Sequence, residues 1–293
     1  MAKAPVSAWF GLTVILCFLL VAIFAPLIAP HGEFQMFALA YAPWKLQFVW
    51  VSPIDKVWLP IGIYLDPNNE FVFGTDQLGR DLLSRLIYGA RNTIGIAVVT
   101  TVLTFAIGGV LGMVAAIRGG WLDQVLSRLV DALMAIPTLV FTLLVLSTFG
   151  SSIVNLIFAI AALNSTSVFR VSRSVCKNIA VMDYVEVARL RGEKLGWIMV
   201  REVLPNALVP LISEFGLRFC FVLLTISALA FLGVGIQPPT ADWGSMVREN
   251  ATLITYGDIT PLLPAGAIAL LTVAVNFVVD WVLHMTSGLK DES

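Results

Sequence analysis

The chain has 293 residues, 58% of them hydrophobic and 13% charged, and its 18 basic and 19 acidic side chains leave a net charge of -1. So few charges cannot cover a soluble surface of this size, which excludes an ordinary soluble enzyme and places the chain in a membrane. The balanced total says nothing about partners, and the positions of the charges are more informative than their sum. No nucleic-acid partner is expected.

In chain order, residues 8–30 carry no charge and are long enough to cross about 30 Å of hydrocarbon as a helix, which predicts a first transmembrane span. A cleaved signal peptide is the competing reading, but the apolar run is longer than its usual core and no small-x-small site follows. Residues 31–72 are broken by Pro43, Pro53, Pro60 and Pro67 and by the turn signal Asp66-Pro67-Asn68-Asn69, so loops or short strands on a wet surface are expected, with Trp44, Trp50 and Trp58 at headgroup level. From 73 to 94 the spacing becomes helical: Leu78, Leu82, Leu83, Leu86 and Ile87 share a face, interleaved with Arg80, Asp81, Arg85 and Arg91. That pattern predicts an interfacial amphipathic helix leading into the membrane.

Residues 92–117 supply a second uncharged span. Residues 132–169 are too long for one span and must fold back, most naturally at Phe149-Gly150-Ser151-Ser152, giving the third and fourth. The fifth and sixth are expected near 207–233 and 261–284. The expectation is therefore an all-α polytopic membrane protein of six transmembrane helices, divided into 1–30, an external loop 31–91, a five-helix core 92–285 containing a loop at 171–206, and a tail 286–293. Cys17, Cys176 and Cys220 form no CxxC or CxxH pair, which argues against a disulfide or metal site. His31 and His284 are isolated and read as interfacial bystanders.

One polar interval stands out in the second half. In Asp183 to Asn206, Tyr184, Val187, Leu190, Leu195, Ile198, Met199 and Val203 recur mostly at three or four residues, as in two short amphipathic helices. Asp183 is placed to cap the first with Glu186 three residues on, Gly192 to end it, and Leu204-Pro205 to close the second. With six spans and a cytoplasmic N-terminus, eleven basic residues (among them Arg170, Arg173, Lys177, Arg189, Arg191, Lys194 and Arg201) fall inside and six (Lys45, Lys56, Arg80, Arg85, Arg91 and Arg248) outside. This bias favours both termini in the cytoplasm, and the knuckle with them.

The segment EVARLRGEKLGWIMVREVLP, with Glu186, Ala188, Gly192 and Leu204-Pro205, resembles the EAA loop of the membrane subunits of ABC importers. Val187 and Glu202 depart from the usual pattern. FGTDQLGRDLLSRLIYGAR (73–91), WLDQVLSRLVDALMAIP (121–137) and FLGVGIQPPTADWGSM (231–246) are similar to signatures of the C-type permease of dipeptide, oligopeptide and nickel importers. The C-terminal VLHMTSGLKDES departs from that group's ending.

This resemblance implies the type I importer fold in an inner membrane, surrounded by lipid. It also implies a paralogous permease partner, two cytoplasmic ATPases carrying ATP and magnesium, and an external substrate-binding protein. Tyr184, Glu186, Ala188, Arg189, Gly192, Leu204 and Pro205 would couple to the ATPases. Gly74, Thr75, Asp76, Gly79, Arg80 and Asp81 form the external signature.

Further readings come from the residues themselves. Asn164, Ser165 and Thr166 are small polar residues on a span and are candidates for lining a pathway. Gly108 and Gly112 form a GxxxG pattern suited to helix pairing. Pro137 and Pro210 are expected to kink their helices. Glu214 and Arg218, four apart, share a helix face and are expected to pair structurally. No GxxxxGK[ST] loop occurs, so the chain cannot cradle ATP by that route and no cofactor or metal is expected on it. Two function classes remain: the permease of an ATP-driven importer, and an ion-coupled secondary transporter, for which Asp131 and Asp280 are the other candidate carboxylates.

Overall fold

The computed structural model describes residues 5–36, 72–256 and 258–287. Within them the chain is helical: α1 (Val6–Ile23), α2 (Ala25–Ile28), α3 (Leu82–Arg118), α4 (Gly120–Met134), α5 (Thr138–Phe149), α6 (Ile153–Ala180), α7 (Asp183–Leu190), α8 (Leu195–Ile198), a π-helical turn (Met199–Val203), α9 (Leu204–Phe231), α10 (Trp243–Asn250), a 3-10 turn (Ala251–Tyr256) and α11 (Leu262–Ser287). Five helical segments are long and apolar enough to cross a membrane, and α4 with α5 makes a sixth when the bent pair is taken as one span.

The chain divides into two compact units drawn from separated stretches. The first consists of residues up to Leu16, Ile96–Ile226 and those from Leu271 onward. Its helices meet through small residues. Gly112 of α3 lies where an added Cβ would come within 2.7 Å of the Phe169 carbonyl of α6, Gly108 approaches the backbone of Ser165 and Phe169 as closely, and the Ser172 hydroxyl donates to the Gly109 carbonyl at 2.9 Å. The GxxxG pair therefore joins α3 to α6 inside the chain. Gly11 of α1 sits against Ala274 and Phe277 of α11, and Phe105 of α3 meets Phe215 of α9 with ring centroids 5.2 Å apart. Ion pairs link α4 to α6: Arg173 and Asp123 bond side by side, and Arg170 Nη2 reaches Asp131 Oδ1 at 2.7 Å.

The second unit consists of Cys17–Gly95 and Ser227–Leu270. Trp243, fully buried, packs edge-on against Phe18, lies over Gly89 and donates Nε1–H to the Leu86 carbonyl at 3.0 Å. Asp242 caps α10 by accepting from the Ser245 amide at 2.9 Å, and its other oxygen accepts from the Thr93 hydroxyl at 2.8 Å. Burial pushes the Asp242 carboxyl above the ordinary aspartate range, against the opposing effect of those hydrogen bonds.

Several expectations need correcting. The first apolar run is α1 followed by the single turn α2, not one helix to residue 30; Pro26 stands at the start of α2, where its missing N–H costs nothing. No separate interfacial helix occupies 73–94. Residues 74–81 form a tight turn with Gly74 and Gly79 at φ of +74° and +73°, after which α3 runs 37 residues without a break, about 55 Å. Leu78, expected on the apolar face, is exposed, while Arg80, Asp81 and Arg85 are buried. The third span is not straight. α4 and α5 meet at 81° across Ala135-Ile136-Pro137, and α5 with 12 residues is too short to cross alone. Pro137 supplies the break because the residue before a proline leaves the helical region. Pro210, in contrast, lies within a continuous α9. The fold-back at 149–152 is as expected: Gly150 adopts φ of +91° and Ser152 caps α6 by accepting from the Asn155 amide at 3.1 Å. Trp44, Trp50, Trp58 and most of the 31–72 loop lie outside the described residues, as does the tail from 288.

Candidate functional site

Two places gather the residues singled out in the sequence. The first is the knuckle from Asp183 to Val203. Its first helix ends in a glycine cap: the Gly192 amide donates to the Arg189 carbonyl at 2.9 Å and the Glu193 amide to the Ala188 carbonyl at 3.2 Å, with Gly192 at φ of +81°. This two-bond closure satisfies carbonyls that the helix leaves free and requires a left-handed residue at the turn. No neighbouring atom lies within 4 Å of an added Cβ at Gly192, so the requirement is conformational and not one of space. Asp183 is not the cap. Met182 holds that position, and Asp183 and Glu186 lie in the first turn, where their charges favour the helix dipole.

The inward and outward faces of the knuckle are rotated from the sequence reading. Val185, Ala188, Ile198 and Val203 are buried against Met113 and Ile117 of α3 and Cys176 and Ala180 of α6. Tyr184, Val187 and Leu190, spaced by three, face outward, Leu190 with 81% of its surface exposed. Arg189 reaches back to donate Nη2–H to the Ile117 carbonyl at 3.0 Å, satisfying one of the last carbonyls of α3. Thus Ala188 and Arg189 hold the knuckle to the spans, whereas Tyr184, Glu186, Val187 and Leu190 are presented outward.

Nor does Leu204-Pro205 end the second helix. The π-helical turn at Met199–Val203, closed by the Leu204 amide on the Met199 carbonyl, carries α8 directly into α9. A proline cannot donate and its ring crowds the carbonyl four residues back; a wider turn just before it accommodates both. The knuckle is therefore continuous with a spanning helix.

The turn from Gly74 to Asp81 is the second place. Asp76 Oδ1 accepts from the amides of Leu78 and Arg80, each at 2.9 Å, while Oδ2 accepts from Arg80 Nε at 2.7 Å and Arg85 Nη1 at 2.6 Å. Glu249 of α10 closes the group, its Oε2 lying 2.7 Å from Arg80 Nη2 and 2.8 Å from Arg85 Nη1. Asp81 caps α3 through the Ser84 amide at 3.1 Å, and His31 Nδ1 approaches the same carboxylate at 3.2 Å, so His31 is a structural contact and not a bystander. Thr75 faces Asp81 across an isolated β-bridge. Two arginines and two carboxylates balance their charges here, with Asp76, Arg80 and Arg85 buried, Glu249 partly exposed, and Arg85 Nε and Nη2 without a partner among the described residues. Glu249 was not singled out in the sequence; only its pairing with arginines far upstream reveals it.

Asn164, Ser165 and Thr166 are all buried on α6, and each bonds a carbonyl of its own helix. Asn164 and Thr166 stand in the wall of a cavity of about 230 Å³ at the α4–α5 break, together with Arg218; Ser165 does not. Arg218 bonds Glu214 Oε1 through Nε at 2.6 Å, as their spacing predicts. Asp131 is tied to Arg170, and Asp280 is exposed on α11.

These features define a polytopic helical membrane protein with a helix-turn-helix knuckle continuous with one of its spans. The chain belongs to the family of the binding-protein-dependent transport system inner membrane component, whose model matches residues 108–287. Residues 6–43 match the N-terminal TM domain of oligopeptide transport permease C. Among curated relatives, the dipeptide transport system permease protein DppC of Alkalihalophilus pseudofirmus is 32% identical over 96% of this chain and 83% of its own length. The protein of the same name from Haemophilus influenzae is 32% identical over 97% of this chain and 89% of its own. The di/tripeptide transport system permease protein DppC of Pseudomonas aeruginosa is 33% identical over 96% and 85%. This is a multi-pass inner-membrane permease of the ABC importer type, not an ion-coupled transporter.

Proposed function

We propose that this chain forms, with a paralogous permease, the membrane pathway through which an ATP-driven importer takes up short peptides delivered by an external binding protein. The observation that carries the reading is the knuckle: an outward stripe of Tyr184, Val187 and Leu190 on a helix whose other face is anchored to α3 and α6. An exposed apolar stripe on a rigidly held helix is suited to a groove in a partner. One of two ATPases, which hold ATP and magnesium themselves, docks there, and the other docks on the paralogous permease. Glu186 offers a charge at the rim, and Gly192 shapes the turn. Closure of the ATPases on ATP displaces the knuckle, and the displacement passes into α9 through the π-helical turn. The basic bias of residues 170–201 supports a cytoplasmic knuckle with both termini on that side.

Purified alone, the chain is expected neither to bind nor to hydrolyse ATP, while the reconstituted complex hydrolyses it faster when loaded binding protein is added. Uptake by this chain alone on a proton or sodium gradient would overturn the reading. Orientation has its own measurement. A cysteine replacing exposed Leu78 should react with an impermeant thiol reagent outside intact cells and one replacing Lys194 should not; the reverse pattern would put the knuckle on the wrong side for ATPases.

A further inference from the structure

The cavity at the α4–α5 break has a chemistry that the coupling and signature residues do not use. Its volume is about 230 Å³, and its wall combines Asn164, Thr166 and Ser167 of α6, Thr138 of α5, and Arg218 and Thr225 of α9 with apolar side chains from the end of α4, the α4–α5 break, α6 and α9. Arg218 stands at the middle of the 28-residue α9, at the depth where a charge is most costly to hold. Glu214 accepts from its Nε, and the guanidinium lies 5.1 Å from the centre of the Phe221 ring, which fixes its plane. No acceptor among the described residues is bonded to Nη1 or Nη2. A fixed guanidinium with two free terminal nitrogens at the polar side of a cavity is the geometry that binds a carboxylate with two parallel bonds.

We propose that this cavity binds the C-terminal carboxylate of a short peptide in transit, with Arg218 as the recognising cation and Asn164, Thr166 and Ser167 facing the adjoining peptide bond; this rests on the importer reading above. Three features favour a peptide terminus over an anionic lipid headgroup. The midpoint of a spanning helix lies about 15 Å below the headgroup level. The wall offers the Ser167 and Thr138 hydroxyls and, as acceptors, the side-chain oxygens of Asn164, Thr166 and Thr225, whose own donors bond carbonyls of their helices. Broken helices at mid-membrane depth are also where transport proteins place substrate groups.

The test is photolabelling of the purified complex in nanodiscs, without binding protein so that its own selectivity does not enter. The probe is alanyl-photoleucine, a dipeptide carrying a diazirine, with adducts mapped by mass spectrometry. Adducts are expected on α6 around 163–167 or on α9 around 221–225. They should fall about tenfold or more when the probe's carboxylate is replaced by an amide, the loss of one bidentate charge-assisted contact. The double variant Glu214→Gln/Arg218→Gln, which removes both charges and leaves neither unpaired, should show the same fall.

Adducts elsewhere only, equal labelling by the amide, or undiminished labelling of the double variant would each overturn the proposal. Loss of labelling when neutral nanodisc lipid is replaced by phosphatidylglycerol would assign the site to lipid headgroups and overturn it as well. ATPase stimulation by loaded binding protein is measured on the same wild-type preparation. Stimulation without a cavity adduct defeats this proposal alone, and its absence defeats the importer reading together with it.

Discussion

Arg85 and Glu249 stand 164 positions apart in the chain and 2.8 Å apart in the fold, with the same Arg85 nitrogen also 2.6 Å from Asp76. The Gly74–Asp81 turn, the start of α3 and the end of α10 are thereby joined through four charges. Asp76 serves both arginines and two backbone amides, whereas Glu249 serves the arginines alone and is partly exposed. Asp76→Ala should therefore destabilise the detergent-solubilised protein by about 3–5 kcal/mol, the cost of orphaning a buried pair, and Glu249→Ala by less. Thermal unfolding of the two variants checks the order, and a larger loss in Glu249→Ala would contradict it.

Substitutions on the two faces of the knuckle should separate the proposed docking from folding. Tyr184→Ser with Leu190→Ser alters exposed side chains, so the permease should retain its unfolding temperature but retain less ATPase on affinity purification. Val185→Ser should instead lower the unfolding temperature, because Val185 is fully buried against the spans. Equal ATPase recovery from wild type and the double serine variant would remove the outward stripe from the interface.

Gly192→Asp places a side chain at φ of +81°, a backbone conformation that costs a non-glycine residue about 1–2 kcal/mol. Since no neighbour crowds the site, insertion and expression should survive while uptake per ATP in proteoliposomes falls. Glu186→Lys should have the same effect more mildly. Normal docking with a normal coupling ratio in Gly192→Asp would reduce the turn to a solvated loop.

Packing of α3 on α6 offers an internal control. At Gly112 an added Cβ would lie 2.7 Å from the Phe169 carbonyl and 2.9 Å from Ser172 Cβ, while at Gly109 nothing lies within 4 Å. Gly112→Ala should cost about 1–3 kcal/mol through overpacking and Gly109→Ala almost nothing. Should the two alanine variants unfold together, the close approach of these helices would be wrong.

Asp242 carries a pH signature. Its folded carboxyl is raised, chiefly by burial, so it binds a proton more readily folded than unfolded. The stability it contributes is then fully present below the ordinary aspartate value of 3.8 and is lost as pH rises through the folded value. Asp242→Asn removes this titration, so the unfolding temperature of wild type minus that of the variant should be greatest at the acid end and shrink toward neutrality. A difference that widens toward neutrality would reverse the sign.

Much was determined by residue type and order alone. The charge deficit required a membrane, the uncharged runs located the spans, Phe149-Gly150-Ser151-Ser152 marked the fold-back, and Gly192 marked the end of α7, because each depends on length, hydropathy or a backbone conformation that neighbours in sequence dictate. Tertiary structure decided the rest. In a spanning helix the lipid-facing and protein-facing sides are both apolar, so periodicity does not show that Gly108 and Gly112 face α6 and not a second chain; in the short α7, Val185 is buried and the neighbouring Tyr184 exposed because α3 and α6 cover one face only. Spacing around Arg80 and Arg85 suggested a wet helix face. Their burial depends on Glu249, a carboxylate that reaches them only when α10 packs beside α3.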